Sequence, residues 1–296
     1  MALLPVVELM RDALDGGYAI GYFESWNLES LQGTLDAAEE AASPIIIGFN
    51  GDFMSHPGRT TLERMALYGA LGKAAAETTR LPVGFIFNEC KQLDWVEAAA
   101  SAGFNLIMPI SDDEESSEFV QQVKAICELA HSKGVAVETE LGILPCDLPD
   151  DEWAEEGGFT DPDHAAAFVK ETGVDLLAVS CGNAHISLSD KQTLDIDHIK
   201  KVFEAVQIPL VLHGGTGIED ESLVAAIQCG VAKVNYGTVL KQAYLKAIRE
   251  ALGTDEVNPH KLLGYGGDED VMNAGRLAVK QAVLEKFDLL GTRWKG

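Results

Sequence analysis

Eight short apolar runs separated by helix-period segments constrain this 296-residue chain more than any other feature. The runs fall at 18–23, 44–49, 82–88, 105–110, 135–141, 176–181, 209–214 and 233–238. Each is strand length and largely apolar. Between them, segments such as 94–102, 118–132 and 219–228 have helical period and stop at Gly103, Gly134 and Gly230. The stretches "AAASAGFNLIMPI", "LAHSKGVAVETEL" and "AIQCGVAKVNYG" repeat one phrase, a glycine joining a helix to a buried strand as tight αβ loops require. Eight such units predict an α/β chain of the (β/α)8 TIM-barrel class. The competing architecture, a doubly wound open sheet, lacks its GxGxxG fingerprint near the N-terminus. A barrel takes about 250 residues. A single domain over 1–296 is therefore expected, with an extra C-terminal helix over about 268–290.

Apolar residues make up 47% of the chain, ample for a large core, yet no apolar run is long enough to cross a membrane. Residues 1–15 read as a short helix with Glu8, Arg11 and Asp12 interleaved among apolar positions, not as a secretory leader. A cytoplasmic location is expected. Five cysteines, Cys90, Cys127, Cys146, Cys181 and Cys229, form no close pair, so free thiols are expected instead of a disulfide framework or a CxxC metal site. The formal net charge of −25 disfavours nucleic acid or an anionic membrane as partner. An anionic small molecule would need local cations or backbone amides to overcome that field.

In a barrel, the C-terminal strand ends and the loops that follow converge on one mouth, where catalysis is found. Those positions carry Glu24, Asn50, Asn88, Glu89, Ser111, Asp112, Glu140, His185, His213, Asn235 and Thr238. Glu140 closes the fifth run, His185 lies past the sixth and His213 ends the seventh, so three good ligand types on consecutive staves predict a divalent metal. His56, His131, His164, His198 and His260 sit among charged loop or helix residues and read as solvated surface. After His213 comes Gly214-Gly215-Thr216-Gly217, and Asn235-Tyr236-Gly237-Thr238 ends the eighth run. Loops after strands seven and eight are the usual phosphate position in barrels, and glycines let backbone amides reach an anion.

At these residues the chain resembles the class II, metal-dependent ketose-bisphosphate aldolases, the fructose- and tagatose-bisphosphate aldolase group. "GGYAIGYFESWNLES", "VETELG", "FTDPDHAAAFVKETGVDLLAVS", "IPLVLHGGTGI" and "AKVNYGT" match family segments in order over nearly the whole chain. The resemblance implies a homodimer or larger homo-oligomer, zinc bound at His185 and His213, and further contact from Glu140. It also implies phosphate binding by Gly214, Gly215, Thr216, Asn235 and Thr238, substrate contact at Asn27 and Asn50, and Arg276 reaching a neighbouring subunit's substrate.

Several positions depart from the family pattern. Where the family has an aspartate followed by a metal-binding histidine, the chain reads Asn88-Glu89. An amide at Asn88 can hydrogen-bond a substrate hydroxyl but cannot exchange a proton with it. Glu89 can ligate through oxygen, which makes the set harder and admits manganese, magnesium or iron beside zinc. Glu24 stands for a substrate-contacting asparagine, Asn50 for a serine, Ile110 for an aspartate, Ile186 for a glycine and Gly237 for an aspartate. The acidic stretch 145–158 is long for a βα connection and reads as a lid, with Asp150, Asp151 or Glu152 able to serve where the family has a glutamate.

Together these features predict a lyase that cleaves or condenses a phosphorylated ketose or related sugar through a metal-stabilised enediolate. Glu24 or the lid residue Asp151 would carry the proton that Asn88 cannot. Two other readings use the same residues: a metal-dependent sugar-phosphate isomerase or epimerase, and a non-catalytic sugar-phosphate-binding barrel.

Overall fold

Alternate residues along each strand face opposite layers, and in this chain both layers are apolar at the strand starts. The computed structural model describes residues 3–114, 116–145, 158–184, 191–253 and 255–296. Its first half runs α1 (Val6–Gly16), β1 (Ile20–Glu24), α2 (Leu28–Ala41), β2 (Ile45–Asn50), α3 (Gly51–Ser55), α4 (Met65–Glu77), β3 (Val83–Cys90), α5 (Leu93–Ala102) and β4 (Leu106–Pro109). Then follow α6 (Ser117–His131), β5 (Ala136–Leu141), α7 (Pro162–Thr172), β6 (Leu176–Val179), α8 (Ile196–Val206) and β7 (Leu210–Leu212). A 3-10 turn (Gly215–Gly217), α9 (Asp220–Ile227), β8 (Val231–Tyr236), α10 (Thr238–Leu252), α11 (Pro259–Leu262) and α12 (Val271–Leu290) complete it.

The strands are parallel, pair in sequence order and close into an eight-stranded barrel where Ile20 and Tyr22 of β1 meet Lys233 and Asn235 of β8. The eight expected runs are these eight strands with small end shifts. β7 stops early because Gly214 takes a left-handed conformation, φ 67, and turns the chain into the 3-10 turn. β8 starts at Val231, directly after the positive-φ Gly230, and ends at Tyr236, so Thr238 opens α10 instead of closing the strand. The expected C-terminal helix forms as α12, with Asp270 at its N-cap.

Outward-facing residues such as Ile45, Ile47, Phe85, Phe87, Val137 and Leu177 pack under the helices in one large cluster. Inward-facing Ile20, Tyr22, Ile46, Ile86, Leu106, Met108, Ala136, Leu176, Ala178 and Val211 form a second cluster inside the barrel, joined by Val6, Leu9, Met10 and Ala13 of α1. That helix therefore lies across the N-terminal end of the barrel and closes it. No described helix is long and apolar enough to cross a membrane. Cys90, Cys127, Cys181 and Cys229 are free thiols, and Cys146 lies outside the described residues.

Two register shifts break the regular alternation. One lies between Phe87 and Cys90 on the β3–β4 pair, the other between Leu210 and Val211 on the β7–β8 pair, where Val211 faces Lys233 although Leu210 faces Val231. A bulge adds one residue to a strand and re-aims its side chains. On β3 it lets Asn88 and Glu89 line the same cavity, with Glu89 at φ 50, a left-handed backbone that costs a non-glycine residue energy and is held by its surroundings. On β8 it places two neighbours in sequence, Ala232 and Lys233, both inside the barrel.

Candidate active site

His213, at the end of β7, is buried among carboxylates contributed by two other strands. Its Nδ1 stands 2.7 Å from Glu140 Oε2 and 3.1 Å from Glu89 Oε1, while its Nε2 is 3.4 Å from Glu138 Oε1. Burial alone would lower the imidazole pKa, but Glu140, Glu138 and Glu89 outweigh it and hold it well above the ordinary value. The surroundings of Nδ1 thus favour positive charge. Glu89 is fixed in turn by Asn50, whose Nδ2 donates to its Oε2 at 2.7 Å.

Below this group lies a fully buried ion pair. Lys233 Nζ donates to Glu138 Oε1 at 2.9 Å and to Asn235 Oδ1 at 2.8 Å, and stands 2.8 Å from Glu138 Oε2. Burial would raise the Glu138 carboxyl, but Lys233 and His213 hold it below the usual carboxylate range.

A cavity of about 310 Å³ opens over these residues. Tyr22, Asn88 and Asn235 line it, and Tyr22 Oη, Asn88 Oδ1 and Asn235 Nδ2 are buried without a hydrogen-bond partner. Three unsatisfied polar atoms beside one cavity mark a place for a polar ligand, because each costs about 1–3 kcal/mol while unpaired. Burial, then Glu24, Glu89 and Glu138, push the Tyr22 phenol well above its ordinary value, so it stays a proton-bearing donor.

The far wall of the cavity is the start of α10. Its N-cap is Gly237, with no side-chain cap, and Gly214, Thr216 and Thr238 stand beside it. Uncapped amides and the positive end of the helix dipole favour an anion there. Gly237 also makes room: a Cβ on it would sit 2.4 Å from Glu24 Oε2. Lys241, one turn into α10, pairs with Glu24 at 2.7 Å and lies 4.3 Å from the Phe53 ring centre.

Of the residues singled out in the sequence, Glu24, Asn50, Asn88, Glu89, His213, Gly214, Thr216, Asn235 and Thr238 surround this one cavity. Glu140 joins them through His213, and Gly215 packs behind, against Val234 and Tyr236. Asn27 and Arg276 stand elsewhere. Asn27 caps α2 and donates to Tyr244 Oη at 2.7 Å. Arg276 holds Asp36 through two nitrogens and Gln32 through a third. His185, Ile186, Asp150, Asp151 and Glu152 lie outside the described residues. The bridge between Ile143 and Gly158 joins the two ends of the acidic stretch. Three site residues went unnoticed in the sequence: Tyr22, Glu138 and Lys233. All three were legible, since Tyr22 precedes Glu24, Glu138 precedes Glu140 and Lys233 precedes Asn235 by one strand period.

The family profile described as fructose-bisphosphate aldolase class II matches residues 5–295. The chain belongs to this family. A fructose-bisphosphate aldolase of Geobacillus stearothermophilus is 34% identical over 300 residues, covering 100% of this chain and 99% of that protein. The Escherichia coli K12 protein YdjI is 35% identical over 285 residues, 96% of each chain. The crystal structure of the YdjI aldolase superposes with a TM-score of 0.82, 32% identity and 99% coverage of both chains. A Campylobacter jejuni fructose-bisphosphate aldolase shares the fold, with a TM-score of 0.78, 22% identity and coverage of 99% of this chain and 97% of that one. This class II aldolase is accordingly a metal-dependent lyase acting on a phosphorylated sugar.

The donors around His213 can be tested against the metal that the class requires. Among the described residues no group of three or more His, Cys, Asp and Glu is set as a metal site. Donors bound at ~2.1 Å in a tetrahedron lie about 3.4 Å apart. The contacts of 2.7 and 3.1 Å at Nδ1 are a slightly drawn-in version of that edge. To receive a cation the imidazole nitrogen needs to draw apart from Glu89 by about 0.3 Å and from Glu140 by about 0.7 Å, and the charge of the carboxylates favours one. The residues fit the group.

Proposed function

We propose that the class II aldolase reaction of this chain is carried by His213, Glu89 and Glu140 as metal ligands, with His185 completing the set. The observation that carries this reading is the meeting of His213 Nδ1 with both carboxylates beside a cavity where three polar atoms lack partners. Zinc suits such a site, and the two carboxylates also suit manganese, magnesium or iron. Once bound, the metal supplies a Lewis acid for the substrate carbonyl.

The remaining roles belong to the chain. Asn88 hydrogen-bonds the hydroxyl next to the scissile bond, with Asn50 bracing Glu89 beside it. Glu24, at the cavity and steadied by Lys241, takes the proton that an amide cannot, and Asp151 is the alternative carrier. Gly214, Gly215, Thr216, Asn235 and Thr238 with the α10 N-terminus receive the phosphate. Asn27 and Arg276 serve substrate in a homodimer or larger homo-oligomer, where Arg276 would exchange Asp36 for an anionic group across the interface. Residues 1–296 act as one barrel domain in the cytoplasm.

The test is metal analysis of the purified protein, followed by incubation with mono- and bisphosphorylated ketoses while triose phosphate release is followed. Release that stops with chelator, and is lost in Glu140→Ala together with metal, is the expected result. Normal metal content in inactive Glu140→Ala would remove that residue from the ligand set.

A further inference from the structure

Lys233 takes no part in the roles above, yet it contacts Asn235, which does, and reaches His213 through Glu138. It reaches them because it lies one strand period before Asn235 and so faces the barrel interior, where the β7–β8 register shift places Ala232 as well. There its ammonium hydrogen-bonds Glu138 on β5 and Asn235 on its own strand, at 2.9 and 2.8 Å, under the cavity floor. We propose that Lys233 is a positioning residue whose single ammonium sets both the metal-facing imidazole of His213 and the substrate-facing amide of Asn235. The proposal rests on the metal site described above.

The first arm runs through Glu138. Its Oε1 is shared between Lys233 Nζ and His213 Nε2. A carboxylate on one ring nitrogen keeps the proton there and presents the other nitrogen as a ligand. The nitrogen so presented is Nδ1, which faces Glu89 and Glu140. Without the lysine, Glu138 would be a buried charge with no counterion, free to swing from the ring. The second arm is direct. By occupying Asn235 Oδ1, Lys233 fixes which end of the amide looks away from it, and Asn235 Nδ2 is the buried atom left without a partner beside the cavity. An acceptor on a ligand is what that donor lacks.

The plainer account makes Lys233 and Glu138 an ion pair that merely stabilises the barrel. Buried pairs contribute little net stability compared with well-packed apolar residues of the same volume. That account also leaves unexplained why both partners end on site residues.

The experiment uses the full chain, stripped of metal, as wild type, as K233M/E138Q and as E138Q. The double variant removes both charges together, keeps side-chain volume and leaves a glutamine oxygen to face His213. Zinc affinity is read by competition with a chromogenic chelator. Affinity for dihydroxyacetone phosphate is read by calorimetry at saturating zinc, and folding by near-UV circular dichroism. We expect K233M/E138Q to bind zinc about 10–100-fold more weakly and dihydroxyacetone phosphate about tenfold more weakly, the loss of one positioned hydrogen bond. E138Q, which keeps the Lys233–Asn235 bond, should lose zinc affinity and retain dihydroxyacetone phosphate affinity. A folded double variant with both affinities at wild-type values would overturn the proposal. Should the double variant fail to fold, E138Q decides: wild-type zinc affinity in it overturns the proposal, and weakened zinc with intact dihydroxyacetone phosphate binding supports it. Failure of the wild type itself to bind zinc or another divalent ion would sink the metal-site reading, a distinguishable result.

Discussion

On β5, Ala136 lies below Glu138 and Glu140, and on β7, Val211 lies below His213. The same staves thus carry an apolar floor and a charged rim. The lower interior, from α1 up to Ile86, Leu106 and Leu176, is satisfied by packing alone. The upper interior holds Glu138, Lys233, His213, Asn88 and Asn235, all buried, and is satisfied only in part by its own groups. The bulge on β3 lies at the rim, between Phe87 and Cys90, and that on β8 where floor meets rim, between Ala232 and Lys233. Packing order gives stability without chemistry, and the broken order supplies chemical groups that stability alone would not select.

The largest expected effect breaks the upper region from within. Lys233→Met alone leaves Glu138 buried and unbalanced, and should lower unfolding free energy in urea by about 3–5 kcal/mol. A loss under 1 kcal/mol would show that water or a proton already satisfies Glu138. In the lower region, Leu106→Ala should cost a comparable or slightly smaller amount, about 2–5 kcal/mol. Its zinc affinity, measured by chelator competition, should stay within about twofold of wild type, since separated sites act independently. A larger change would mean that floor and rim are mechanically coupled.

Zinc sharpens the contrast, because the proposed ligands place it at the rim alone. At a free concentration of 100 times its Kd it should stabilise the fold by about 2.7 kcal/mol, seen as a higher Tm that His213→Ala no longer shows. The smallest effect lies outside both regions. Asp270 caps α12 and accepts four backbone N–H groups, from Gly264, Gly266, Met272 and Asn273, which hold its carboxyl below the usual range. Asp270→Ala should cost about 1 kcal/mol, with up to 2 in a favourable geometry, and leave zinc affinity unchanged. Because the folded pKa is the lower one, this contribution is complete above an unfolded value of about 4. It fades as pH falls through the folded value, so variant and wild type should converge in acid denaturation.

The floor was legible in the sequence for a physical reason. An apolar strand of fixed length ending at glycine has one good solution, and positions such as Ile45 to Ile47 leave little choice. The rim was legible where chemistry-bearing residues end a strand, as with Glu89, His213 and Asn235. It was not legible where a bulge decides the facing. Strict alternation from Val234 or Asn235 gives Lys233 an inward side but cannot hold Ala232 inside as well, and it allows only one of Asn88 and Glu89 to face in. Asn27 shows the converse: Asn27-Leu28-Glu29-Ser30 forms a capping box, a local use that the sequence displays as plainly as any substrate contact.

The helix across the bottom of the barrel has a kinetic consequence. With α1 sealing one end, the described residues form a blind vessel open at the other end. Two fragments made in it must leave by the way one molecule came in, and the fragment nearer the rim has to go first. Cleavage should therefore release its products in a fixed order, with the deeper fragment competing against substrate and the outer fragment inhibiting noncompetitively.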